Sequence, residues 1–148
     1  LCKLYGMDDN RGFPNVKLLI GSLHWMRIVR NSCAHNERIY CISRAQSKNK
    51  NSGRILEKYL LKLGGSYSRE RDQKIVDLII YFKYYLPHKE FLLFLSELKG
   101  ILFELKSVIA PHAFEYIRAQ MGIKNIEDLD TLASLPKSDI DYNKFDKN

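Results

Sequence analysis

At 148 residues, 45% of them apolar, the chain can bury roughly 68% of its unfolded surface, enough for one sizeable core and too little for two. Apolar stretches such as Phe91 to Leu95 fall far short of the ~20 residues that span a bilayer, and neither a signal peptide nor a glycine-rich phosphate loop is visible, which disfavours P-loop and dinucleotide chemistry. The formal charge is +7; residues 127–148 hold six acidic and three basic side chains, leaving +10 on the first 126, and a basic body with an acidic tail suits a polyanion such as nucleic acid. Three cysteines, Cys2, Cys33 and Cys41, form neither a zinc pattern nor a disulfide framework, so a reducing, cytoplasmic setting is expected. The chain opens at Leu1 without a methionine and is expected to be a piece of a longer protein.

In chain order, Gly6 to Pro14 is dense in turn formers and reads as a loop, with Pro14 suited to the first turn of the helix that follows. A long helical pattern runs from there to about Arg44, with Gly21 as a soft point. Ala45 to Gly53 reads as an exposed polar loop, whose basic residues from Lys48 to Arg54 could guide RNA or simply be solvated. Arg54 to Leu63 predicts a short amphipathic helix stopped by Gly64 and Gly65. Ser68 offers a cap for a helix ending at Leu86 before Pro87. Its apolar positions are Ile75, Leu78, Ile79, Phe82, Tyr85 and Leu86.

Leu92, Leu95, Leu98, Leu102 and Leu105 repeat the helical spacing over His88 to Ile109, and antiparallel packing of these two helices across Pro87 is expected. A turn at Pro111 and His112 leads into a helix from Ala113 to Met121 closed by Gly122. Ile126 to Leu135 predicts a short terminal helix, and Pro136 to Asn148 a frayed end. No strand pair is expected. The expectation is an all-α antiparallel bundle of about five to six helices, with a helical domain over residues 1–126 and a terminal helix with an acidic tail over 127–148.

The chemistry concentrates between Leu23 and Tyr40. At 100° per residue, Met26, Val29, Cys33 and Tyr40 fall on a core-facing side, and His24, Arg27, Asn31, His35 and Arg38 on the other. Like-charge repulsion along that basic row is relieved when an anion such as phosphate settles against it. These residue types fit cleavage of RNA by its own 2′-hydroxyl. A base removes the 2′ proton, the oxygen attacks the adjacent phosphorus, a second group protonates the departing 5′-oxygen, and arginine grips the equatorial oxygens. Neutral imidazole is what the base role requires. Glu37 stands alone among basic neighbours, so no metal and no cofactor is expected. DNA lacks the attacking hydroxyl, which makes RNA the expected substrate.

Arg30-Asn31-Ser32-Cys33-Ala34-His35 resembles the motif of HEPN ribonucleases, an Arg and a His four to six residues apart with a polar residue after the Arg. The wider stretch Arg30-Asn31-x-Cys33-Ala34-His35-x-x-Arg38 is similar to Abi-like abortive-infection proteins of the AbiD/AbiF kind, as are Trp25 and Met121-Gly122. The resemblance covers most of the chain, as the carboxy-terminal portion of a protein about twice its length. After His35 that family continues with a basic or aromatic residue, and further on with an asparagine; here Asn36 and Cys41 stand in those places.

The resemblance implies a HEPN-type bundle and a metal-independent endoribonuclease in bacterial phage defence, of the abortive-infection or toxin–antitoxin type. It implies Arg30 and His35 as the catalytic pair with Asn31 orienting the histidine or phosphate. It also implies a homodimer through the helix of Arg30 and His35, restrained by an antitoxin protein or regulatory RNA. Arg38 joins as a supporting phosphate contact, with Arg27 and His24 along the same face.

The alternative is a catalytically inactive RNA-binding or protein-interaction module. With nine Arg and four His in the chain, about 0.7 such Arg–His spacings arise by chance, so the surrounding residues carry most of the weight. On an unbroken helix Arg30 and His35 stand about 140° apart, and a kink, long side-chain reach or a partner subunit has to close that gap. Cys33 reads as core. His88 and His112 read as surface or capping residues. Tyr81, Tyr84 and Tyr85 read as core packing with hydroxyls directed outward, against a base-stacking platform.

Overall fold

The computed structural model of the protein describes residues 1–7, 13–45, 59–63 and 72–135. The expected loop at 8–12, the polar loop at 46–53, the helix start at 54–58, the cap at Ser68 and the tail beyond 135 lie outside them. The described helices are α1 (Cys2–Tyr5), α2 (Val16–Ala34), α3 (described over 59–62), α4 (Ile75–Tyr85), α5 (His88–Val108), α6 (Pro111–Met121) and α7 (Asp128–Ser134). With α1 a single turn, this is an all-α bundle of about six helices. One pair of strands, not expected from the sequence, joins β1 (Arg44–Ala45) to β2 (Asp72–Gln73), antiparallel with Arg44 opposite Gln73.

Helix α2 begins at Val16, two residues later than Pro14 suggested. Asn15 is the cap, its side-chain oxygen accepting from the Leu18 N–H at 3.0 Å, which satisfies a donor left orphaned by the first turn. The helix runs through Gly21 without a break. Leu18, Leu19, Ser22, Trp25, Val29 and Ser32 are buried, spaced by one to four residues along a single side. Trp25 is fully enclosed. Met26 is half-buried against the core, but Cys33, read as core from its position on the wheel, is exposed. It stands in the last turn, at the edge of the side that buries Ser32.

Helix α4 is the centre of the bundle. Ile75, Leu78 and Ile79 are buried as the spacing required, yet so are Val76, Asp77, Ile80, Tyr81, Lys83 and Tyr84, because α2, α5 and the turn after α2 all pack against it. It starts at Ile75, later than Ser68 implied. The Asp77 carboxylate accepts from the Lys74 N–H at 2.8 Å, half of a capping box. The tyrosine hydroxyls turn inward rather than out: Gln73 Nε2 donates to the Tyr81 oxygen at 2.7 Å, and Tyr85 and Ser22 share a hydrogen bond of 2.6 Å. Burial pushes the hydroxyls of Tyr59, Tyr84 and Tyr85 above the usual tyrosine range.

Pro87 separates α4 from α5, and Phe82 meets Phe94 edge to face at 5.2 Å across that junction. On α5, Leu95 and Leu102 are buried and Leu98 and Leu105 partly so, whereas Leu92 is exposed. Pro111 is a first-turn residue of α6 rather than a turn preceding it. Gly122 ends α6 with φ of +80°; a β-carbon there would come within 2.8 Å of Val76 Cγ1, which ties this turn to α4. The terminal helix α7 places Leu129 and Leu132 in the same core. Lys83, itself buried, donates from Nζ to the Leu132 and Ala133 carbonyls at 2.7 and 3.1 Å, capping α7 from inside the bundle.

Among the described residues, no helix is long and apolar enough to cross a membrane.

Candidate functional site

The outward face of α2 changes character halfway along. Val16, Ile20 and Leu23 are exposed, and at helical spacing Arg27, Arg30, Asn31 and Ala34 continue the same exposed stripe. The helix is thus apolar on two sides in its first half and basic on its outer side in its second half. His24, flanking the stripe, is half-buried.

Contrary to the expected run to about Arg44, α2 stops at Ala34. The backbone closes it with two hydrogen bonds, from the Asn36 N–H to the Cys33 carbonyl at 3.2 Å and from the Glu37 N–H to the Ser32 carbonyl at 2.9 Å. Asn36 has φ of +54°. This is a Schellman ending with asparagine in the left-handed position that glycine more often fills. His35 is the last capping residue, its N–H still bonded to the Asn31 carbonyl at 3.0 Å. Arg38 therefore does not lie on the helical face with Arg27 and Asn31, as continuous periodicity implied, whereas His35 keeps its place one turn beyond Asn31.

Beyond the turn the chain is secured again. A 3-10 turn (Ile39–Cys41) packs on α6, α4 and α2, with Tyr40 and Ile42 partly buried against the core. The Cys41 thiol donates to the Arg38 carbonyl at 3.2 Å. The exposed stretch from His35 to Arg38 is thus anchored at both ends, by the end of α2 and by Tyr40. Cys33 and Cys41 are free and exposed thiols.

The structure brings Arg30 and Asn31 together: the guanidinium Nη1 donates to the Asn31 amide oxygen at 3.1 Å. One of five donors is used, and the others stay available to an anion. Arg27, Arg30, His35 and Arg38 are all exposed. Among the described residues no carboxylate pairs with these arginines, and no side chain hydrogen-bonds the His35 imidazole. Arg30 and His35 are not bonded to each other. Among the described residues, no three His, Cys, Asp or Glu side chains gather as a metal-binding set. His88 and His112 are exposed at the starts of α5 and α6.

Sequence reasoning missed Asn36, whose signal was available: asparagine following the last helical turn is a recognised stop. It also passed over the Val16–Ile20–Leu23 stripe, legible only once the opposite face is known to be the buried one.

Comparison with family models, with curated proteins and with solved structures returns no match to this chain.

Proposed function

We propose that the protein is a metal-independent endoribonuclease of the HEPN, Abi-like type, acting in bacterial phage defence, with Arg30 and His35 as its working pair. The observation that carries the reading is the end of α2: an arginine oriented by Asn31 and a histidine at the helix cap, both exposed, five positions apart and, among the described residues, free of competing carboxylates. In this reading Arg30 grips two oxygens of the scissile phosphate, and the Asn31 contact narrows the guanidinium to fewer orientations, lowering the entropy lost on engagement. Neutral His35 takes the 2′-hydroxyl proton as that oxygen attacks phosphorus. The 5′-oxygen leaves with a proton from a second group, and the products are a 2′,3′-cyclic phosphate and a 5′-hydroxyl. Arg38 and Arg27 hold neighbouring phosphates, with His24 at the edge of the same face.

The second group is His35 of another copy, in a homodimer built on α2. The support is the exposed apolar stripe of Val16, Ile20 and Leu23; covering it with the same stripe of a second chain, the two helices running parallel about the two-fold axis, sets two basic helix ends beside a shared groove. An antitoxin protein or regulatory RNA would act by covering that groove. The same stripe equally serves a protein-interaction module that performs no chemistry, and cleavage separates the two readings. Mixed cellular RNA is incubated with the protein in excess EDTA, beside Arg30→Ala and His35→Ala variants. Cutting by the wild type that both variants lose supports the enzyme. Equal RNA binding without cutting by any of the three leaves the binding module.

A further inference from the structure

The residue that decides where His35 stands is its neighbour. The sequence from Glu37 to Tyr40 invites α2 to continue, and a continuous helix would wrap a further turn over His35. The chain instead leaves the helix at Ala34, because Asn36 adopts φ of +54°. That conformation is disfavoured for L-residues, and asparagine is among the few that visit it routinely. With Asn36 in it, the Asn36 and Glu37 N–H groups reach back to Cys33 and Ser32, and the chain turns toward the 3-10 segment packed on α6 and α4.

Asn36 itself is exposed, and among the described residues its side chain has no hydrogen-bond partner. Its contribution lies in its backbone.

We infer that Asn36 is a positioning residue for His35, acting through the left-handed turn whose hydrogen bonds to Cys33 and Ser32 clamp the end of α2 and hold His35 at its exposed last position. The inference rests on the reading of Arg30 and His35 as the cleavage pair. Glycine reaches the same φ without cost, whereas a β-branched residue cannot hold it and favours either a longer helix or an extended exit. Misplacing a reacting group by about 1 Å costs up to about a hundredfold in rate.

The test compares Asn36→Gly and Asn36→Val with the wild type in cleavage kinetics, and by amide hydrogen exchange at Glu37 with the His35 Cα chemical shift. Asn36→Gly is expected within about twofold of wild-type kcat, and Asn36→Val about tenfold or more below it with KM little changed. In the Val variant the Glu37 amide loses its protection and the His35 shift moves, while both persist in the Gly variant. Wild-type kcat in the Val variant overturns the inference, as does an equal loss in the Gly variant, which would assign the role to the amide side chain. Should the wild type itself cut no RNA, the reading of the pair fails, and the backbone measurements alone then decide the positioning: retained protection in the Val variant refutes it, and protection lost in Val but kept in Gly upholds it.

Discussion

Replacing Ile20 and Leu23 together by glutamine probes the proposed dimer without touching either the core or the basic end of α2. Ile20 is 62% exposed and Leu23 48%, so covering each recovers about half of the ~1.5–3 kcal/mol that full burial of such a side chain contributes. That is about 1 kcal/mol per residue. Two-fold symmetry brings both residues into the interface twice, so the double variant weakens association by about 4 kcal/mol, close to a thousandfold in Kd. Glutamine retains helix propensity close to leucine, so the unfolding midpoint of the monomer should barely move. Sedimentation equilibrium over a wide concentration range reads the Kd directly. Cleavage should fall with the population of dimer and recover at high protein concentration. An unchanged Kd would refute the assignment of this stripe as the interface; a wild type that cuts RNA as a monomer would refute the shared groove.

Two further outcomes follow from the packing. Gly122→Ala meets both a left-handed φ and the Val76 methyl at 2.8 Å, and should cost about 2–4 kcal/mol in urea unfolding; Gly100→Ala, in mid-helix with open space around it, should gain about 0.5–1 kcal/mol. Equal effects at the two sites would contradict this contrast. Burial raises the Tyr59 and Tyr84 hydroxyls above the ordinary tyrosine value of 10.0. Their contribution to stability is therefore fully present below pH 10 and lost as pH rises beyond it, by up to about 1.4 kcal/mol per unit for each tyrosine held neutral. Urea midpoints from pH 8 to 11 should fall, less steeply in Tyr59→Phe, and a flat profile would show that the rings are solvated.

Much of the bundle was legible because its punctuation is local. Pro87 and Gly122 act through φ alone, and both mark the breaks where they were read. Asn36 ends α2 by the same hydrogen-bond pattern as Gly122 ends α6, but asparagine also fits helices and loops, so periodicity across it suggested continuation to Arg44. That one residue displaced Arg38 from the expected face. Cys33 failed for a different reason. A helical wheel gives direction, whereas burial also depends on how far around the helix its partners reach. For α4 the spacing marked one apolar face only: Asp77 and Lys83 lie outside it, and are buried because neighbours pack around the helix and supply carbonyl or N–H partners. The short strand pair escaped notice because two residues on each side carry no alternation to detect. At the site, Arg30 and Asn31 were found as residues, while their mutual hydrogen bond depends on side-chain torsions that no spacing encodes.

The central claim is that the substrate's own 2′-hydroxyl is the nucleophile, with Arg30 and His35 serving it. The most direct measurement maps one cleavage position in an oligoribonucleotide, then repeats the reaction in EDTA with a single 2′-deoxy substitution at the nucleotide 5′ to that bond. The account predicts that cutting at that position disappears while cutting elsewhere on the strand persists, each remaining product carrying a 2′,3′-cyclic phosphate. Cleavage of the deoxy-substituted bond at the original rate, or products ending in 3′-hydroxyl and 5′-phosphate, would contradict it.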